Sequence, residues 1–249
     1  MRGKKVLVTG GHQRLGRAIA LHLGGLGADV AISWRRDELA AEQVVRALST
    51  ADRPALAVQC ELTDRDQVHE LIDRTVQRMG GLDFVVASAA SFLATELDAC
   101  DTASLDQNWA DNARGPIDLI LQARPYLEQS RDGRAVVIGD LAGLKPLHGY
   151  LGHSMAKAAL HNAVLGLAVE LAPKVVVNAV VPGPVLRPDS MSEEAWLQLL
   201  DRLPLGEMAR LEPEMPVRAV CETVAFCLVV SRFMTGQILV VDGGRSVRW

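Results

Sequence analysis

Short runs of β-branched and aliphatic residues alternate along the chain with longer stretches in which apolar residues recur every three or four positions. The short runs are Lys5–Thr9, Asp29–Trp34, Ala55–Cys60, Leu82–Ser88, Arg134–Gly139, Val175–Val181 and Ile238–Val241. Most are unbroken apolar runs, the pattern of parallel strands covered on both faces. Between them, Leu15–Leu26, Glu38–Ser49, Asp64–Met79, Leu105–Gln129, Ser154–Leu171 and Val217–Ser231 carry helical periodicity. Val68, Leu71, Ile72, Thr75, Val76 and Met79 show it clearly, and glycines such as Gly27 and the Gly80-Gly81 pair stop the helices. Strand–helix alternation of this kind predicts right-handed crossovers and an α/β, doubly wound sheet of about seven parallel strands with helices on both faces.

At 249 residues, with no internal repeat and no linker, the chain suits a single domain over 1–249. One stretch departs from the rhythm. Residues 187–216 carry Pro188, Pro204, Pro213 and Pro216 around a short helical piece, Glu193–Arg202. An excursion after a late strand suits a lid over the carboxyl ends of the sheet, with Leu186, Trp196 and Leu197 available to close over a ligand. Lys plus Arg number 26 against 30 Asp plus Glu, and the net charge of −4 offers no basic excess for nucleic acid or an anionic membrane. No apolar run reaches the length of a membrane span, and strand character from Lys5 leaves no room for a leader. Cys60, Cys100, Cys221 and Cys227 form no CxxC pair and suit reduced thiols of a cytoplasmic protein. His12, His22, His69, His148 and His161 show no paired ligand spacing, so no metal site is expected.

Candidate chemistry begins at Thr9-Gly10-Gly11-His12-Gln13-Arg14-Leu15-Gly16, between the first strand and the first helix. Gly10 permits a sharp turn, Gly16 permits close packing on the sheet, and the helix N-terminus offers amides to a pyrophosphate. The second strand ends in Ser33-Trp34-Arg35-Arg36, where a site for NAD normally carries an acidic residue. Guanidinium groups at Arg35 and Arg36 match the 2′-phosphate of NADP(H) in charge and geometry, and Arg14 adds a third. Asp37, just beyond, is expected to cap the next helix.

The chain resembles the short-chain dehydrogenase/reductase family over nearly its whole length. The resemblance rests on Thr9–Gly16, Asn112, Lys157, Asn178-Ala179-Val180-Val181-Pro182-Gly183, Thr235-Gly236 and Val241-Asp242-Gly243-Gly244. Within that family it is most similar to the pteridine reductases, through Arg14, Ser91-Phe92, Asp140 and Ser154-Met155-Ala156-Lys157. The resemblance implies a Rossmann-like fold and a cofactor site formed by Gly10, Arg14, Leu15, Gly16, Arg35, Arg36, Glu61, Leu62, Ala89, Lys157, Pro182 and Gly183. Glu61 stands where an aspartate usually meets the adenine, and Ala87-Ser88-Ala89-Ala90 replaces Asn-Asn-Ala-Gly. The largest departure lies in the Tyr-x-x-x-Lys motif, because the position four before Lys157 is His153.

Hydride addition to a C=O or C=N bond leaves negative charge that must be protonated or stabilised. In the family, tyrosine gives the proton, lysine lowers its pKa and holds the nicotinamide ribose, and asparagine supports a water relay. Here Lys157 and Asn112 keep their places, while Asp140 precedes His153 by the family's thirteen-residue interval. A carboxylate that orients and supports an imidazole suggests Asp140–His153 as the replacement acid. The alternative is a catalytically impaired nucleotide-binding protein with a regulatory role. Tyr150 is a reserve acid and substrate neighbour, whereas Tyr126 fits packing. By resemblance, Phe92 would stack on a flat heterocycle such as a pterin, with Asp140, Tyr150 and Leu186 beside it; a carbonyl or ketoacyl reductase is the competing enzyme class. The resemblance also implies a homotetramer or homodimer joined through Leu105–Gln129 and Ser154–Leu171. Apart from the resemblance, the tail Val247-Arg248-Trp249 is expected to reach a neighbouring subunit.

Overall fold

The computed structural model describes residues 1–50, 53, 55–231 and 233–247, so Arg248 and Trp249 of the expected subunit-contacting tail lie outside the described residues. Seven parallel strands form one sheet: β1 (Lys5–Val8), β2 (Asp29–Trp34), β3 (Leu56–Gln59), β4 (Phe84–Ala87), β5 (Arg134–Ile138), β6 (Val176–Pro182) and β7 (Ile238–Val241). Their order across the sheet is β3-β2-β1-β4-β5-β6-β7. Successive side chains on a strand face opposite ways, and β1 shows the result. Leu7 enters one core with Val85, Val137 and Val177, while Val6 and Val8 enter the other with Val30, Val86 and Val180.

The first core is closed by α3 (Arg65–Met79), α5 (Gly115–Gln129) and α6 (Leu151–Leu171), through Leu71, Leu119, Leu127, Leu160 and Val164. The second is closed by α1 (Arg14–Gly25), α2 (Glu38–Leu48) and α9 (Met215–Ala225), through Ile19, Leu23, Val44, Val220 and Val224. Asp37 accepts from the Ala40 amide at 2.9 Å and caps α2 as expected; Asp64 does the same for α3 from Asp66 and Gln67.

Two helices differ from expectation. The single helix expected over Leu105–Gln129 is α4 (Thr102–Trp109), a π turn over Ala110–Arg114, and α5. Pro116 has no N–H to give to the Asn112 carbonyl, and the Gly115 amide bonds back to Ala110 instead. The turn drives Asp111, Asn112 and Ala113 into the interior. Likewise α6 begins at Leu151 rather than Ser154, because Thr95 Oγ1 accepts from the Gly152 amide at 2.8 Å and satisfies a first-turn donor. At the other end of the chain, α9 continues into a second π turn, Phe226–Val230.

Residues 187–216 hold α7 (Glu193–Asp201), capped by Ser192, and α8 (Gly206–Leu211). Leu200, Leu203 and Ala209 pack with Trp196 into a small core of their own. Among the described residues, no helix is long and apolar enough to cross a membrane.

Gly16 sets how closely α1 approaches the turn before it: a Cβ there would lie 2.3 Å from the Gly10 carbonyl oxygen. Gly16→Ala should therefore lower stability to urea by about 1–3 kcal/mol, read as a reduced denaturation midpoint with an unchanged slope.

Candidate active site

Strand order reverses between β1 and β4, so the connections after these two strands leave on opposite faces and open a crevice at their carboxyl ends. Thr9 stitches its floor, its hydroxyl accepting from the amides of Ser88 and Ala89 at 3.0 and 3.1 Å. Gly10 turns with φ +63°, and an added Cβ would meet Ala89 at 3.1 Å, which leaves a shallow bare-backbone cradle. Beyond it, Gln13 precedes α1 without a side-chain cap, so the first amides of that helix face the crevice with no side-chain acceptor. Arg14 holds φ +47°, a conformation that costs a non-glycine residue about 1–2 kcal/mol.

Of the expected cofactor residues, Gly10, Arg14, Leu15, Gly16, Arg35, Glu61, Leu62 and Ala89 line this one cleft. Arg36 is exposed and stands outside its lining. Pro182 ends β6, and a Cβ added at Gly183 would meet Asp242, just beyond β7, at 2.7 Å; both residues stand away from that lining. His12, Ser33, Trp34, Cys60, Ser88 and Asp111 line the cleft as well. Most of them lie at or just beyond strand ends, a position that could have flagged them. Both cleft arginines already have carboxylate partners. Arg14 meets Asp189 at 3.3 Å and donates to the Arg187 carbonyl at 3.1 Å, while Arg35 meets Glu61 at 3.2 Å.

A second cluster lies at the carboxyl end of β5. Asp140 Oδ1 accepts from the Ala142 amide at 2.7 Å, and Oδ2 lies 3.4 Å from His153 Nε2. The His153 side chain is only 2% exposed, and its Nδ1 is buried without a hydrogen-bond partner. Lys157, one turn further along α6, donates to the Ile138 carbonyl at 3.2 Å. His161, a turn beyond, accepts from the Asp140 amide through Nε2 at 3.4 Å. No motif in the sequence singles out His161 for this place.

Burial and charge act against each other within this cluster. Burial lowers the Lys157 pKa to about 8, with Asp140 opposing. His161 is lowered to about 4 by burial and by the Lys157 charge, again opposed by Asp140. Burial pushes the Asp140 carboxyl up, but the His153 hydrogen bond, the Ala142 amide and the His153 and Lys157 charges together hold it below the usual range.

Asn112, fully buried in the π turn, accepts from the Ser91 amide at 3.1 Å and donates to the Ser91 hydroxyl at 3.3 Å. This fixes the chain just before Phe92. The Phe92 ring stacks on Tyr150 at 4.2 Å between centroids and meets His153 edge-on at 4.9 Å. Leu186 is half-buried after β6. Tyr126 lies elsewhere, donating to Asp73 at 2.9 Å. Among the described residues, no group of three or more His, Cys, Asp or Glu is placed to hold a metal ion.

Comparison with known proteins accords with this architecture. The sequence profile described as enoyl-(acyl carrier protein) reductase matches residues 11–246. Glucose 1-dehydrogenase of Gluconobacter oxydans is 30% identical, with 98% of this chain and 92% of that protein covered. A 3-oxoacyl-(acyl-carrier-protein) reductase of Staphylococcus aureus is 30% identical, with 97% of each covered. Among solved structures, FolM alternative dihydrofolate reductase 1 from Brucella suis, crystallised in complex with NADP, superposes with a TM-score of 0.90 at 31% identity, covering 100% of this chain and 98% of that one. The chain belongs to the short-chain dehydrogenase/reductase family and is an oxidoreductase of that type.

A histidine whose folded pKa is depressed binds its proton more readily in the unfolded chain. Its contribution therefore makes stability fall as pH drops from 6.5 toward about 4. His161→Gln, which removes the ionisation, should flatten that part of the curve of unfolding free energy against pH, measured by urea titration; an unchanged slope would show that His161 does not titrate in this way.

Proposed function

We propose that the protein is an NADPH-dependent reductase acting on a C=N or C=O bond of a flat, pterin-like heterocycle. In this reading Asp140–His153 supplies the proton that a tyrosine supplies elsewhere in the family. The 3.4 Å approach of His153 Nε2 to Asp140, on the helix face that also carries Lys157, is the observation that carries it. The bare cradle at Gly10 and the uncapped start of α1 suit a pyrophosphate, and Arg14 and Arg35 suit the phosphates of NADP(H). When bound, the reduced dinucleotide supplies a hydride. Leu15, Gly16, Glu61, Leu62 and Ala89 shape its cleft; Arg36, Pro182 and Gly183 belong to its surroundings.

The chain's own groups then act as follows. In this reading Asp140 accepts from Nε2 of His153, and Nδ1, the ring nitrogen without a protein partner, carries the proton that is transferred. Asp140 orients the ring, and Lys157, one turn along the same helix, is held by the Ile138 carbonyl. Asn112 secures Ser91, and so presents Phe92. Phe92 leaves Tyr150 to stack on the substrate ring, with Tyr150 and Leu186 lining the pocket and Asp140 accepting ring N–H groups. Residues 187–216 serve as the lid, tied to the phosphate turn through Arg14 until the cofactor arrives.

Two further features fit this picture. Trp109 on α4, Leu121 on α5, and Met155, Leu165 and Val169 on α6 expose apolar surface suited to a second copy of the chain, as a homodimer or homotetramer. Four free cysteines suit a reducing, cytoplasmic setting. The burial of His153 favours one competing reading, a nucleotide-binding protein without turnover.

NADPH oxidation followed with dihydropterins, dihydrofolate and a panel of ketones discriminates these readings. We expect turnover on the pterins. His153→Gln should lower kcat about 100- to 10,000-fold with cofactor affinity retained. Cofactor binding with no turnover across the panel would favour the binding protein, and turnover on ketones alone a carbonyl reductase. Phe92→Ala should raise KM for a pterin by up to about tenfold, and gel filtration should show a species larger than the monomer.

A further inference from the structure

We propose that Glu61 competes with the 2′-phosphate of NADPH for Arg35, and so narrows the preference for NADPH over NADH. The proposal rests on the reading of the cleft as a dinucleotide site. The two side chains face each other across the adjoining ends of β2 and β3, with Arg35 Nη1 3.2 Å from Glu61 Oε2. Their side chains are 42% and 35% exposed, open enough to meet an incoming anion yet partly sheltered.

Both residues are held from behind. The Arg35 carbonyl accepts from Gln59 Nε2 at 3.1 Å. The Glu61 amide donates to Gln67 Oε1 at 2.9 Å, and Gln67 in turn donates to Asp64 at 2.9 Å. Glu61 Oε1 accepts from the Thr63 amide at 3.4 Å, so its carboxylate is anchored with the other oxygen left for Arg35. The acid is thus a fixed neighbour of the guanidinium.

The energetics set the direction. An NADPH 2′-phosphate that takes Arg35 must break the Arg35–Glu61 pair and then sit beside a carboxylate that has lost its counter-ion. With NADH, the neutral 2′-hydroxyl leaves the pair intact. The penalty therefore falls on one nucleotide only. A partly exposed pair is worth a modest amount, which corresponds to about a two- to fivefold change in affinity.

The test measures dissociation constants of NADPH and NADH for the full chain and its variants by nicotinamide fluorescence. Glu61→Gln should raise the ratio of the NADH to the NADPH dissociation constant by about two- to fivefold, because any contact of this residue with the adenine is common to both nucleotides, and the change should shrink as potassium chloride is raised. Glu61→Asp, one methylene shorter, should shift the ratio the same way and serves if the glutamine variant melts early. An unchanged or lowered ratio in both variants, which is an equal shift for both nucleotides or a larger loss for NADPH, would overturn the proposal. Failure of the native chain to bind either nucleotide would instead sink the dinucleotide reading of the cleft, and this proposal with it.

Discussion

A parallel sheet covered by helices on both faces leaves only its strand ends free to meet water, and the rest of this molecule is arranged around that constraint. Most interior side chains on β1, β4, β5 and β6 are committed to two apolar cores, with Arg134 and Asn178 as buried polar exceptions that bond to backbone. Polar chemistry is left to the carboxyl ends and to the loops that follow them. There the reversal of strand order separates the outgoing connections, and bare backbone at Gly10 meets Ala89 across the gap. The same geometry brings the ends of β2 and β3 side by side, so Arg35 and Glu61 become neighbours although 26 residues separate them.

The β5 end carries the densest electrostatics. Asp140, His153, Lys157 and His161 share a small volume in which each ionisation changes the energy of the others. A buried ammonium is costly unless a carbonyl or carboxylate compensates it. Ile138 supplies the first and Asp140 the second. Asp140 thus serves three neighbours at once, and its own carboxyl stays charged because those neighbours together outweigh its burial.

Much of this architecture was legible locally. The apolar runs marked all seven strands, and Asp37 announced the start of α2. What escaped was set by contacts distant in the chain. The start of α6 depends on Thr95, 57 residues before the Gly152 amide that it accepts from, and nothing near Tyr150 signals it. Arg14 and Arg35 could be read as phosphate ligands from their positions, but their carboxylate partners Asp189 and Glu61 depend on tertiary placement. His161 likewise gave only a helical apolar-face signal; its bond to the Asp140 amide requires the β5 turn to fold over α6.

The π turn before Pro116 also fixes a phase relation. One extra residue in a helix of 3.6 residues per turn rotates everything after it by about 100° relative to everything before. The faces of α4 and α5 are therefore out of step by that amount, and the apolar side of α5 meets the sheet only because the insertion is there. Deleting a single residue between Ala110 and Arg114 would straighten the rod and swing either Asn112 or the stripe of Leu119, Ile120 and Ala123 away from its seat. The polar anchor and the hydrophobic stripe are thus geared to one another, and neither can be adjusted without turning the other.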